Sequence, residues 1–217
     1  MNSETTLPVL NAVELRVLGA LIEKSKTTPE YYPLTLNSLT VACNQKSSRK
    51  PVVEYDEETV VIALNSLKSQ SLVSTAVGGT SRSTKYKHNF TTVYPLTNAQ
   101  YALLCLLFLR GPQTPGELNT NSNRLHEFSS IESVIETLHN LANYPTPFVK
   151  ELPKRAGQKE ARFAHLLGEI IEDNQDELID EPARKSVNTL EARITYLEIE
   201  LAQVKETLEK LTKELLG

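Results

Sequence analysis

The sequence predicts a mainly α-helical chain with small β-wings. Two tandem winged-helix domains are followed by a C-terminal coiled-coil helix. Three observations carry this expectation. The first 168 residues contain a degenerate internal repeat, each copy has the same order of elements, and the last part of the chain carries an unbroken apolar seam.

The repeat is visible in three places, always in the same order. Glu58 to Leu67 matches Glu132 to Leu141 at an offset of 74 residues. Lys85-Tyr86-Lys87-His88 resembles Arg162-Phe163-Ala164-His165 at an offset of 77. Leu10, Leu18, Leu21 and Ile22 match Leu96, Leu104, Leu107 and Phe108 at an offset of 86. The fall in offset predicts a longer loop in the first copy, around residues 44–55. Ordered self-similarity of this kind is the signature of a tandem repeat.

Each copy begins with a helix, over 11–25 and 97–110. Leu15, Leu18, Leu21 and Ile22 recur at helical spacing in the first, and Asn11 and Thr97 are suited to cap the two starts. A Pro-bounded stretch follows, Thr28-Pro29 or Thr114-Pro115. A short second helix is expected over 35–43 and 115–122, and a third over 56–70 and 130–142. Asp56 and Ser130 suit the N-caps, and an acidic first turn suits the helix dipole. Two β-type runs close each copy around a Gly-containing turn. They are Leu72–Val77 and Thr84–Phe90, then Phe148–Leu152 and Ala161–Leu166. Three helices and a hairpin make a winged helix, so the expected boundaries are a tail over 1–9 and domains over 10–92 and 93–168.

Residues 169–183 read as an acidic linker, with seven carboxylates and no Lys or Arg before Pro182. From 184 to 217, Val187, Leu190, Ile194, Leu197, Leu201, Val204, Leu208, Leu211 and Leu215 alternate at spacings of three and four. This is the a/d pattern of a coiled coil. A helix with such a stripe buries it only against a partner, so a homodimer is expected through these nine residues. The rival is docking of the helix on its own domains or on another protein. In a parallel pair, Arg193 faces Glu198 and Glu200 faces Lys205 across the seam.

Composition narrows the function classes. Net charge is −4, but residues 1–168 carry 17 basic and 14 acidic side chains, whereas 169–217 carry 6 and 13. An acidic tail does not attract nucleic acid, so any such contact belongs to the first part. Cys43 and Cys105 sit in apolar helical patterns and read as core residues in a reducing compartment. The N-terminus lacks the pattern of a signal peptide, and no apolar run approaches the about 18 residues that span a bilayer. A cytoplasmic protein without a membrane partner is expected.

At this point a family becomes recognisable. Thr27-Thr28-Pro29-Glu30-Tyr31-Tyr32-Pro33-Leu34, Ala42-Cys43-Asn44-Gln45-Lys46 and Arg49-Lys50-Pro51-Val52 resemble the YceH family of bacterial proteins. So do Thr84-Lys85-Tyr86, Arg110-Gly111-Pro112-Gln113-Thr114-Pro115-Gly116-Glu117-Leu118 and Arg124-Leu125-His126-Glu127-Phe128. The resemblance covers about residues 7–168 and implies tandem winged helices, but no activity. The family often carries basic residues after Gly-Glu-Leu; here Asn119 and Asn121 stand there.

Candidate sites are few. Lys46, Arg49 and Lys50 form a basic loop in copy one. With wing residues Arg82, Lys85 and Lys87 they form a candidate phosphate-binding face, to which Asn44 and Gln45 add amide contacts. The bland alternative is a solvated loop. The third helices oppose ordinary major-groove reading: copy one leads with Asp56, Glu57 and Glu58, and copy two has no Lys or Arg between 130 and 142. A second basic hairpin holds Lys154, Arg155, Lys159 and Arg162. In the Arg124–Phe128 run, Leu125 and Phe128 are expected to plug the core and Arg124 to pair with Glu117 or Glu127. His88, His126, His139 and His165 share no ligand spacing, and no catalytic motif is present. No metal, no cofactor and no enzymatic activity are expected. The leading expectation is a nucleic-acid-binding, regulatory dimer; the alternative is a protein-interaction scaffold with the winged helices as docking modules.

Overall fold

The computed structural model describes residues 7–76, 83–154, 158 and 160–168. The acidic linker, the coil residues Val187 to Leu215 and Arg82 lie outside the described residues, as do Arg155 and Lys159. All described residues fall within one compact unit. It is mainly helical, with two small antiparallel sheets.

The first half runs α1 (Ala12–Thr27), a 3-10 turn (Pro29–Tyr31), β1 (Leu34–Thr35), α2 (Leu36–Cys43) and α3 (Glu57–Ser69). It continues with β2 (Val73–Ala76), β3 (Lys85–His88) and a one-turn α4 (Phe90–Val93). The second half repeats the plan with α5 (Asn98–Arg110), α6 (Pro115–Ser122), α7 (Ile131–Ala142), β4 (Val149–Glu151) and β5 (Phe163–His165). The first sheet has the order β1-β3-β2 and the second pairs β4 with β5. A single bridge between Gln113 and Phe163 stands in the second half where β1 stands in the first.

Local chemistry sets the helix starts. Asn11 Oδ1 accepts from Val13 N at 2.9 Å and Glu14 N at 3.0 Å, while Glu14 Oε2 accepts from Asn11 N at 2.7 Å. The reciprocal bonds satisfy backbone donors that a helix leaves open. Thr97 with Gln100 and Thr114 with Glu117 form the same box. The Gly-Pro-Gln-Thr-Pro-Gly-Glu-Leu motif is therefore a stop and a start: Gly111, at φ 73°, ends α5, and Thr114, Pro115 and Glu117 begin α6.

The two first helices form the centre. Residues Glu14 to Ile22 are buried without a break in α1, and Gln100 to Leu109 in α5. The one-faced stripe expected for α1 is thus too narrow, because a helix in the middle of a unit is covered on every side. The helices meet at Gly19, where a Cβ would stand 2.9 Å from Leu109 Cδ2 and 3.2 Å from Phe108 Cβ. Glycine permits that approach, and Cys105 donates its thiol proton to the Gly19 carbonyl at 3.4 Å. One apolar cluster takes residues from both halves. Aromatic edges join them: Phe90 meets Phe108 at 5.9 Å, and Tyr94 meets Phe148 at 5.2 Å. Leu10 and Leu167 close the ends by a 2.7 Å backbone bond.

Candidate nucleic-acid interface

The α2–α3 loop, residues 44–56, is held by buried polar groups. Arg49 is the main one, and its side chain is fully buried. Nη1 donates to Glu23 Oε1 at 3.0 Å and to Ser48 O at 2.9 Å. Nη2 donates to Glu23 Oε2 at 2.7 Å, Ala42 O at 2.9 Å and Gln45 Oε1 at 3.1 Å, and Nε to Ala42 O at 3.2 Å. This fork matches a carboxylate on one side and carbonyls on the other, which lysine does not reproduce. Arg49 is thus corrected from phosphate ligand to internal clasp.

The amides are likewise engaged. Asn44 donates to Tyr55 O at 2.7 Å and accepts from Tyr55 N at 2.9 Å, so it ties the two ends of the loop together. Gln45 accepts from Arg49. Arg16, buried in α1, donates to Cys43 O at 3.0 Å and Pro51 O at 2.6 Å. Arg110 donates to Ser48 Oγ at 3.1 Å. Ser48 sits at φ 59°, a left-handed conformation that costs a non-glycine residue about 1–2 kcal/mol. The surrounding arginine bonds hold it there.

The remaining cations are outside. Lys46 and Lys50 are exposed on the loop and Lys87 on β3. Lys85 is half-buried, opposite Thr35 on one side and Ala76 on the other. Lys68 stands 5.9 Å over the Tyr86 ring. The outer face of α3 presents Glu58, Ile62, Asn65 and Ser69, with Ile62 64% exposed.

In the second half, Arg162 donates to Glu117 Oε2 at 3.0 Å, Glu117 Oε1 at 3.1 Å and Pro112 O at 3.0 Å. Glu117 is therefore taken by Arg162 and not by Arg124, which is exposed. Lys154 is exposed. Leu125 and Phe128 pack against the core as expected. The sequence pattern does not mark the buried Arg16 and Gln113 or the half-buried Arg110 as functional.

Burial governs the titratable groups. It pushes the Cys43 thiol up to about 12 and also raises Cys105, so neither is a reactive thiolate at neutral pH. His88 and His165, at matching positions of the two halves, are pushed down to about 4 by desolvation. Ser25 gives its hydroxyl proton to Ile22 O, so His88 Nε2, 3.2 Å away, is the donor of that pair. Both rings must charge as the chain unfolds in acid. Above the ordinary value of 6.5 they do not affect stability; between 6.5 and about 4 the unfolded chain binds more protons, so stability falls as pH falls. The melting temperature is expected to drop between pH 6.5 and 4.5, and to drop less in His88→Gln/His165→Gln. Equal slopes for the two proteins would remove the histidines from the acid response.

No group of three or more His, Cys, Asp or Glu side chains placed to hold a metal occurs among the described residues. No helix among them is long and apolar enough to cross a membrane.

Comparison with known proteins agrees with the motif resemblance. The family model described as "Protein of unknown function, DUF480" matches residues 10–158. A UPF0502 protein of Opitutus terrae is 50% identical over 177 residues, covering 81% of this chain and 77% of that protein. One from Shewanella baltica is 52% identical over 157 residues, 70% of each. One from Aliivibrio salmonicida is 44% identical over 214 residues, 94% of this chain and 96% of that protein. The similarity to the last extends beyond the described unit. The chain belongs to the DUF480 family of bacterial proteins, the YceH-like group that its motifs resemble.

Proposed function

We propose that this chain is a non-enzymatic tandem winged-helix protein that grips nucleic acid by its phosphates and pairs with a second copy through the C-terminal seam. The observation that supports it best is the clasped loop. Arg49 and Asn44 hold residues 44–55 in one shape, and Lys46 and Lys50 stand exposed on it. A preformed cationic loop loses little conformational freedom on binding. Lys87 adds a charge on the neighbouring hairpin, and Arg82 lies at its sequence tip. Lysines on a loop and a wing contact phosphate and carry little base information. The repeated order of three helices and a hairpin supports the winged-helix reading, with β1-β3-β2 as the fuller of the two wings.

The test is a salt titration of full-length protein against random-sequence duplex DNA, beside Lys46→Ala/Lys50→Ala/Lys87→Ala. Arg49 is left intact because its loss would disturb the loop itself. Binding is expected to weaken steeply with salt. The variant should lose affinity at low salt, with a slope shallower by up to about three phosphate contacts. Sedimentation of the same samples should give the mass of two chains. No binding at low salt would refute the nucleic-acid reading, and a single-chain mass would remove the coil from it.

One observation favours the scaffold reading instead. Ile62 is exposed in the middle of α3, next to Glu58 and Asn65. An acidic and apolar face at the position of a recognition helix repels phosphate and suits a protein surface.

A further inference from the structure

The two wings differ in what they expose. In the first sheet Leu34 and Val73 are buried, and their partners across the ladder are Tyr86 and His88. Opposite residues of an antiparallel ladder share a face, and successive residues of a strand change face. Lys85, opposite Thr35 and Ala76, and Lys87, opposite Ser74, therefore stand together on the outer face. Two positions along a strand separate them by about 7 Å. Lysine on an edge strand guards against unwanted pairing, but β3 is flanked on both sides, so that role does not explain them. Their row-mates are small, and neither lysine has an acidic partner among the described residues. The second half closes this face. Ala164 stands where Lys87 stands in the repeat and is 2% exposed, and all of β5 is buried. An open basic sheet is thus a property of the first half and not of the fold.

An aromatic ring borders that sheet. Tyr31 is 72% exposed and is the only exposed Phe or Tyr among the described residues. It is also held in place. Tyr31 N donates to Thr28 O at 3.1 Å and Tyr32 N to Pro29 O at 3.2 Å. Tyr32 Oη accepts from His88 N at 2.7 Å, next to Lys87. The turn that carries Tyr31 is thereby moored to the strand that carries the lysines, and the described residues of the second half have no such turn. A fixed, uncovered ring beside a row of cations suits an unpaired strand, because the ring stacks a base of any kind and the cations follow the backbone. A duplex hides its base faces, so the ring adds nothing there. We infer that the outer face of the first wing sheet holds single-stranded nucleic acid, with one base on Tyr31 and the backbone over Lys85 and Lys87. The unpaired lysines favour a polyanion over a protein surface. Glu30, exposed beside Tyr31, repels phosphate and is outnumbered by Lys26, Lys85 and Lys87. It leaves Tyr31 to the base and sends the backbone to the sheet.

This site rests on the nucleic-acid reading and narrows it to unpaired strands. The test is fluorescence anisotropy with a labelled oligothymidylate, the same backbone without bases, and a random-sequence duplex, all at low salt. Full-length protein is compared with Tyr31→Ala, Tyr31→Phe and Lys87→Ala. Tyr31 and Lys87 are exposed, so the variants should melt like the unaltered chain. Tyr31→Ala is expected to weaken oligothymidylate binding about ten-fold and Tyr31→Phe to retain it, with no such difference on the baseless strand. Lys87→Ala should weaken all three probes. Oligothymidylate binding by Tyr31→Ala as tight as that of the unaltered chain overturns the inference and leaves the ring as a contact for a protein. An equal loss on the baseless strand or the duplex also overturns it, since the ring then stacks no base. If either result comes with duplex binding that still depends on Lys46, Lys50 and Lys87, the proposed function stands without this site. No binding of any probe ends both.

Discussion

Arg49→Ala is expected to destabilise the described unit by about 3–5 kcal/mol. The substitution removes six hydrogen bonds and leaves the Glu23 carboxylate, 13% exposed, without its main counter-charge. It also frees Ala42 O and Ser48 O, which then need water in a closed site. The loss is largely the cost of stranding a buried charge, so a paired replacement is informative. Glu23→Leu with Arg49→Met removes both charges at similar volume and should restore much of the stability. Denaturant unfolding followed by circular dichroism reads both. A loss below about 1 kcal/mol in Arg49→Ala would mean that the clasp does not hold the loop. The same experiment separates two roles that the sequence alone confuses, since a phosphate ligand on the surface can be removed at almost no cost in stability.

Leu104→Ala is expected to cost about 2–5 kcal/mol. Leu104 is fully buried in α5, inside a cluster that runs through both halves. Its removal leaves a cavity in a closely packed centre, where α1 already approaches Leu109 and Phe108 of α5 at Gly19. The more telling readout is the shape of the transition. With one shared cluster, both repeats should unfold together, and Leu104→Ala should move a single cooperative curve to lower temperature. Two separated transitions, with only the later one displaced, would show that the halves are thermodynamically independent.

Much of the fold was legible because local signals and the repeat agreed. Asn11, Asp56, Thr97 and Ser130 cap the helices they were expected to cap. The long loop after α2 explains only part of the slip in the repeat offset, since the matching connection runs over 123–130; the rest arises earlier, where α1 and the 28–35 connection are longer than α5 and the 111–114 connection. The brief elements escaped notice. β1 is two residues long and exists only through its pairing with β3, and α4 is a single turn. Neither has enough residues to show a period.

The candidate site was less legible, and Arg49 shows why. In sequence it stands beside Lys50 and close to Lys46, and nothing local separates the three. One points inward to Glu23, 26 positions earlier, and the other two are exposed. Arg124 and Glu117 make the same point: proximity along the chain suggested a pair, but Arg162, 45 positions after Glu117, takes the carboxylate. Periodicity, caps and duplication are properties of short windows, and they define helices, hairpins and their order. A guanidinium's partner depends on which distant carboxylate the packed core brings within about 3 Å, where a charge-assisted bond replaces lost hydration. That choice between clasp and surface ligand is made only when α1, the loop and α5 come together.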